Sequence, residues 1–161
     1  MTNQTFLSEH FSLEEAIISQ TADRNGLDNT PSMEMITTMS KTAVRLEKVR
    51  SILAKPLNIN SWYRALLVNR AVGSKDTSQH MKGEAVDFIS PEFGSPLLIC
   101  QELLKYKELV RWDQLILEHT WVHISWASVP NAVQRGQVLS LLATGQYATG
   151  LTDNLGKAYQ I

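Results

Sequence analysis

The stretch TSQHMKGEAVDF, residues 77–88, contains an aspartate that the rest of the sequence must explain. Asp87 lies between a valine and a phenylalanine, in an apolar run that is typical of a buried strand. A charged group inside a strand is destabilising unless it is paired or binds a metal ion. Asp87 could therefore face an arginine such as Arg64 or Arg70, or solvent at a sheet edge. It could also bind a metal together with His80, which lies seven residues earlier.

A zinc site is the second explanation, because zinc binds imidazole and carboxylate groups, and catalytic zinc sites use three protein ligands with one position open for water. His80 and Asp87 supply two ligands, so the third should be a histidine from another element. The remaining histidines are His10, His119 and His123. His10 lies in the N-terminal segment. His123 lies in the apolar run WVHISW, where a lone histidine is more often a hydrogen-bonded core residue than a ligand.

The composition fits one soluble globular domain. The chain has 161 residues, of which 43% are hydrophobic and 19% are charged. We expect a single domain over residues 1–161, with residues 1–10 and about 145–161 as tails that wrap the surface. The net charge of -1 gives no basic field for nucleic acid. Cys100 is the only cysteine, so no intrachain disulfide can form, which fits a reducing compartment.

The start of the chain, MTNQTFLSEHF, has neither the basic end nor the apolar run of a secretory signal. No stretch approaches the roughly 18 apolar residues of a membrane span. We therefore expect a protein that is made in the cytoplasm and does not insert into membranes. We also expect it to be a monomer.

Hydrophobic periodicity predicts an α+β fold, with a small antiparallel sheet and flanking helices; under the metal explanation of Asp87, the zinc site lies on this sheet. Ser12 and Glu15 form a capping-box pattern at the start of a short helix. Residues 21–32 are predicted to form a loop, and residues 132–142 could form a helix. The predicted long helices cover residues 33–53, capped at Thr30-Pro31, and residues 96–109; the predicted strands cover residues 57–63, 83–90, 113–118 and 121–126.

The last two predicted strands are separated only by His119-Thr120, which predicts a hairpin with a two-residue turn. Because side chains alternate along strands, this turn places Glu118, Trp121 and His123 on one face, with Gln114 further along it. Glu118 and His123 are then diagonal neighbours, within roughly 7–8 Å. A carboxylate at that distance from a metal ligand is well placed to contact water at the metal.

The segment SQHMKGEAVD resembles the signature Ser-x-His-x-x-Gly-x-Ala-x-Asp of the M15 zinc peptidases, which include D-alanyl-D-alanine carboxypeptidases and phage endolysins. All five fixed residues are present: Ser78, His80, Gly83, Ala85 and Asp87. The segment SWYR, residues 61–64, resembles the family's Ser-x-Tyr-Arg segment, and DQLILE with WVHIS is similar to its strand with the last zinc-binding histidine. The resemblance covers residues 11 to about 126.

The resemblance implies that His80, Asp87 and His123 bind a zinc ion, and that Arg64 stabilises the carbonyl oxygen of the scissile bond. It also implies that the substrate is the stem peptide of peptidoglycan. Four further residues are candidate substrate contacts: Ser78, Tyr63, Gln114 and Trp121.

The sequence departs from the family pattern at the catalytic base. Many members carry the catalytic acid or base three residues before the last zinc-binding histidine, where this chain has Thr120. Others carry a histidine two residues before that last histidine, where this chain has Trp121. Neither residue can act as a base. Glu118 is the nearest carboxylate and His119 the nearest imidazole. We favour Glu118, because the hairpin places it on the same face as His123.

We therefore expect zinc-dependent hydrolysis of a peptide bond in the stem peptide, by carboxypeptidase or endopeptidase action. The resemblance favours phage or prophage cell-wall lysis with release by a holin, or a virion-associated enzyme. One alternative is a catalytically silent, zinc-bearing module that binds cell wall or forms part of a virion. Another is a structural or interaction protein without metal.

Overall fold

The computed structural model describes residues 3–160, so residues 1, 2 and 161 of the two predicted tails lie outside the described residues. Six α-helices, one 3₁₀ helix and six strands follow one another along this part of the chain. Their bounds are α1 Leu13–Ile17, α2 Gln20–Asn25, α3 Met33–Leu53, β1 Asn58–Ser61, α4 Leu66–Ala71, the 3₁₀ helix Gln79–Lys82, β2 Ala85–Ile89, α5 Pro96–Leu104, α6 Lys107–Val110, β3 Gln114–Glu118, β4 Trp121–Ser125, β5 Gln137–Leu141 and β6 Tyr147–Thr149. The predicted α+β class is confirmed.

The predicted helix starts are confirmed at α1 and corrected at α3. The Ser12 hydroxyl accepts a hydrogen bond from the Glu15 backbone N–H at the start of α1. α3 covers the predicted 21 residues, but its cap is Ser32 and not Thr30-Pro31, because the Ser32 hydroxyl accepts from the Met35 N–H. Among residues 3–160, no helix is both long enough and apolar enough to cross a membrane.

Two other secondary-structure predictions, a loop and a helix, are wrong. The predicted loop 21–32 contains most of α2, which Ser19 caps by accepting from the Ala22 N–H and which ends at Gly26 with φ 60°. The predicted helix 96–109 is divided into α5 and α6, because the N–H groups after Leu104 bond three residues back and tighten the last turn.

The six strands form one sheet in the order β1-β2-β4-β3-β5-β6. All neighbouring pairs are antiparallel except β3 and β5, so the sheet is mixed where an antiparallel one was predicted. The helix considered for residues 132–142 is wrong: strand β5 lies there, and its backbone pairs with β3. β6 comes from the segment that was expected to wrap the surface.

The two faces of the sheet have different side chains. One face is apolar and packs in the core, where Val86, Phe88, Val122 and Ile124 are fully buried with residues of α3 and α5. Residues that alternate with these, among them Asp87, point to the opposite face. The polar positions of the central strands therefore share one face, which faces a cleft.

Gly83 ends the 3₁₀ helix with φ 73°, in the left-handed region that favours glycine. A Cβ at Gly83 would lie 2.6 Å from Met39 Cγ, whereas a Cβ at Gly73, with φ 78°, would meet nothing within 4 Å. The two glycines therefore have similar backbone conformations in very different surroundings.

We predict that Gly83→Ala destabilises the protein more than Gly73→Ala. Both variants carry the left-handed backbone cost of about 1–2 kcal/mol, and Gly83→Ala adds an overpacking cost of about 1–3 kcal/mol against Met39. Urea denaturation measures both free energies of unfolding. Equal losses in the two variants would show that α3 adjusts freely around the turn.

Candidate metal centre and active-site cleft

Three side chains from three elements converge at one point on the polar face. His80 lies in the 3₁₀ helix, Asp87 in β2 and His123 directly opposite Asp87 in β4. His80 Nε2 is 3.2 Å from Asp87 Oδ2, and His123 Nδ1 is 2.9 Å from Asp87 Oδ1. Ligand atoms of all three residues lie within 4.8 Å of one another, so the group could hold a metal ion.

The hydrogen bonding around His80 favours a cation at this point. His80 Nδ1 lies 2.7 Å from the Trp62 carbonyl oxygen, which can only accept, so the ring proton is on Nδ1. The unprotonated Nε2 then faces the Asp87 carboxylate with a lone pair, which is unfavourable unless a proton or a metal ion lies between them. Burial lowers the pKa of His80 and so opposes the extra proton.

Asp87 is ionised in this arrangement. Burial opposes its charge, but the neighbouring His80 and His123 hold the pKa of Asp87 well below its usual range. Neither arginine that was considered as a partner pairs with Asp87: Arg70 pairs with Asp76 at 2.6 Å, and Arg64 lines the same cleft but forms no ion pair with Asp87. The charge that the sequence left unexplained thus lies against two histidines and not against an arginine.

The hairpin prediction is confirmed, with Glu118 opposite Trp121 and Ile116 opposite His123. Glu118 lines the same cleft as the three clustered residues. Burial raises the pKa of Glu118 to about 7, and the charge of Asp87 acts in the same direction. A carboxyl group with this pKa can exchange a proton near neutral pH, as a general base must.

His119 does not share this environment. It is exposed in the turn and lines a different pocket, with Leu117, Pro96 and Tyr159. The fourth histidine, His10, hydrogen bonds to Glu47 and does not line the cleft. The geometry therefore favours Glu118 over His119 as the group that can act on a substrate in the cleft.

Arg64 follows β1 and lines the cleft beside the cluster. Its backbone N–H donates to the His80 carbonyl at 3.1 Å, which fixes it to the 3₁₀ helix. The side-chain Nε is buried and has no hydrogen-bond partner within residues 3–160. Burial lowers the pKa of Arg64, against the charges of Asp87 and Glu118. One donor of the guanidinium is therefore left without a partner among these residues.

The structure places three of the four predicted substrate contacts in the cleft. Ser78, Gln114 and Trp121 line the cleft, whose volume is about 680 Å³. The indole Nε1 of Trp121 is buried without a partner in the part of the chain that is described. Tyr63 does not line the cleft: it is 8% exposed and packs in the hydrophobic core.

Sequence reasoning missed three cleft residues from the C-terminal part of the chain: Arg135, Leu139 and Tyr147. Leu139 and Tyr147 lie in β5 and β6, which were not predicted as strands. The alternation in QVLSL and the Thr-Gly turn before QYAT were the available signals.

A polar network that the sequence did not reveal supports the 3₁₀ helix. Gln79, the residue before His80, donates to Glu84 at 3.3 Å and to Asp113 at 3.1 Å. Asp113 is buried and also binds Arg135 at 2.6 Å. The network connects the 3₁₀ helix to the starts of β2 and β3, and so helps to fix the position of His80.

A sequence model of a known family, described as Peptidase M15, matches residues 9–125. This chain belongs to the peptidase M15 family. M15 peptidases depend on a metal, which agrees with the His80, Asp87 and His123 group. No curated protein matches the chain. The matched residues include the cluster, Arg64 and Glu118, whereas β5 and β6 lie beyond the match.

We predict that the purified M15 peptidase binds about one divalent metal ion per chain. Asp87→Ala and His123→Ala should each lose this ion, because two remaining ligands hold it weakly. Elemental analysis after dialysis measures the metal content, with circular dichroism to check the fold, since metal binding couples to folding.

His119→Ala is the matched control, because it removes an imidazole that lies outside the cleft. It should keep the ion. If Asp87→Ala and His123→Ala kept the full metal content, as the control should, the metal site would lie somewhere else in the protein.

Proposed function

We propose that the protein is a zinc-dependent peptidase that hydrolyses a peptide bond in the stem peptide of peptidoglycan. The observation that carries the proposal is the placement of Glu118, with its raised pKa, in the same cleft as His80, Asp87 and His123. A metal-ligand group and a carboxyl group that can accept a proton suit metal-assisted amide hydrolysis, and Arg64 adds a hydrogen-bond donor for the charge that develops.

Zinc fits the donor set of the cluster. Two imidazoles and one carboxylate leave a fourth tetrahedral position open, which is the arrangement of catalytic zinc sites. Hard cations such as magnesium prefer oxygen ligands, which are in the minority here. When bound, zinc would act as a Lewis acid on the scissile carbonyl group and lower the pKa of water toward about 7.

Glu118 is the general base in this proposal. Its ionised carboxylate accepts a proton from the attacking water and then delivers that proton to the leaving amine. Its half-buried position at the end of β3 raises its proton affinity, and a cation at the cluster would lower it again. We therefore expect a working pKa at or below about 7.

Arg64 stabilises the negative charge that develops on the carbonyl oxygen. Support comes from its place in the cleft lining, from its buried, unpartnered Nε and from the hydrogen bond between its backbone N–H and the His80 carbonyl. A donor that is already desolvated and fixed needs little reorganisation during the reaction. Ser78, Gln114 and Trp121 are the proposed substrate contacts, because they line the same cleft.

The stem peptide of peptidoglycan is proposed from family membership together with this site. We propose that the protein acts as a phage or prophage lysis enzyme and that a holin releases it. A second candidate function is a silent zinc-bearing module that binds cell wall, which is favoured by Thr120 and Trp121 at the positions where many relatives carry their base. Release of free amines from purified peptidoglycan distinguishes the enzyme from the silent module.

We predict that Glu118→Gln keeps the metal and the affinity for peptidoglycan but slows hydrolysis by about 10²–10⁴-fold, the usual effect of losing a general base. Glutamine keeps the size of the side chain and cannot accept the proton. The rate of amine release measures the effect, and His119→Ala, with its exposed turn position, is the control. An active Glu118→Gln variant beside an inactive His119→Ala variant would reverse the two roles.

We also predict an acid limb in the pH profile of kcat/KM. Since Glu118 works only when ionised, activity should fall as pH drops through an apparent pKa at or below about 7. The same profile for Glu118→Gln should lack that limb. A wild-type profile that stays flat from pH 5 to 8 would show that no base with a raised pKa takes part.

A further inference from the structure

Arg135 lines the cleft near the end of β3 that is opposite to Glu118. β3 begins at Gln114 and ends at Glu118, and both side chains line the cleft. Asp113, directly before β3, binds Arg135 and also accepts a hydrogen bond from Gln79. Arg135 is thus held beside the 3₁₀ helix, while the candidate general base lies at the other end of the strand.

Strand pairing gives the distance between this end of the cleft and the metal cluster. Ile116 pairs with His123, and His123 pairs with Asp87, so the cluster lies at the level of Ile116. Asp113 comes three residues before Ile116, which corresponds to about 10 Å of strand. A peptide bound along β3 would reach the Asp113–Arg135 pair about three residues from the scissile bond.

A buried carboxylate fixes one edge of the Arg135 guanidinium. The backbone N–H and Nε of Arg135 donate to Asp113 Oδ1 at 2.9 and 3.0 Å, and Nη2 donates to Oδ2 at 2.6 Å. The Asp113 side chain is 3% exposed, whereas that of Arg135 is 51% exposed. The guanidinium is therefore held in place from the interior while its other side remains accessible.

The opposite edge of the guanidinium keeps two parallel donors. An arginine side chain has five N–H groups, and Asp113 takes one from Nε and one from Nη2. The edge formed by Nη1 and the second Nη2 hydrogen has no partner among residues 3–160. Such an edge matches the two oxygens of a carboxylate, and two parallel charge-assisted hydrogen bonds give both affinity and geometric selectivity.

The charges of the cleft lining also favour an anionic group. The lining contains three cationic side chains, Arg64, Lys75 and Arg135, and two anionic ones, Asp87 and Glu118. A divalent cation at the cluster would add to the positive charge. Asp113 is buried and does not line the cleft, so its charge lies behind the guanidinium from the side of an incoming ligand.

We propose that Arg135 forms a subsite that binds a carboxylate of the substrate through its Nη1–Nη2 edge, about 10 Å from the metal cluster. The proposal deepens the proposed function and rests on it for the identity of the substrate. A stem peptide carries carboxylates at its chain end and on its acidic residues, and both share the required chemistry. Arg135 lies beyond residues 9–125, so the subsite is an addition to the part of the chain that the family model matches.

The test measures binding of stem peptides to the zinc-loaded Glu118→Gln variant by isothermal titration calorimetry. One peptide has all carboxylates free, one has an amidated chain end, and others have each acidic residue amidated in turn. Amidation of the carboxylate that Arg135 binds should weaken binding about tenfold or more, because a charged, bidentate contact is lost. The amidated form that loses affinity identifies the source of the carboxylate.

Adding Arg135→Lys to this protein tests the residue itself. Lysine keeps a positive charge beside Asp113 but lacks the second pair of parallel donors. The same amidation should then change affinity less than about threefold. Circular dichroism and the metal content check that the fold and the cluster are kept.

Arg70→Lys is the matched control. Arg70 binds Asp76 through the same two nitrogens, Nε at 3.1 Å and Nη2 at 2.6 Å, but this pair does not line the cleft. The control should discriminate between free and amidated peptides as strongly as the protein without it.

Two results would overturn the subsite. One is equal binding of all the peptides before Arg135 is changed. The other is an Arg135→Lys variant that binds every peptide more weakly by the same factor, because Arg135 would then only support Asp113 and Gln79.

Hydrolysis of the free peptide by the wild-type protein tests the proposed function separately. Arg135-dependent discrimination without any hydrolysis would leave the subsite intact and favour the silent module. Hydrolysis without Arg135-dependent discrimination would leave the peptidase intact and remove the subsite.

Discussion

The carboxylate of Asp87 lies between two imidazoles, and the arrangement of the polar face depends on this contact. Buried charges are costly unless they are compensated, so β2 can carry an aspartate only where His80 and His123 meet it. The compensation is incomplete without a cation, because the Trp62 carbonyl fixes the His80 proton on the far nitrogen. A metal ion would remove the repulsion that the three side chains otherwise retain.

The supporting structure explains why the three side chains can meet. Antiparallel pairing puts Asp87 directly opposite His123, and the turn at Gly83 brings the 3₁₀ helix back over β2. Gln79 then ties that helix to two buried carboxylates, one of which binds Arg135 from the C-terminal part of the chain. The site is therefore held by long-range contacts, and its precision depends on the whole sheet.

Much of the site could be predicted because it follows local rules. The alternation of side chains along WVHISW and the short turn before it placed Glu118 on the face of His123, and the structure has that register. The C-terminal strands could not be predicted in the same way. β5 lies in a segment whose apolar spacing also suits a helix, and only its parallel pairing with the distant β3 shows that the segment is a strand. Tyr63 shows the same limit, since only packing reveals that its ring lies in the core.

A crystal structure of the zinc-loaded protein, with anomalous data collected at the zinc edge, tests the central claim most directly. The account predicts one strong anomalous peak within bonding distance of His80, Asp87 and His123, about 2.0–2.2 Å from each ligand atom. An anomalous peak at another place in the protein, with no peak beside His80, Asp87 and His123, would contradict the account.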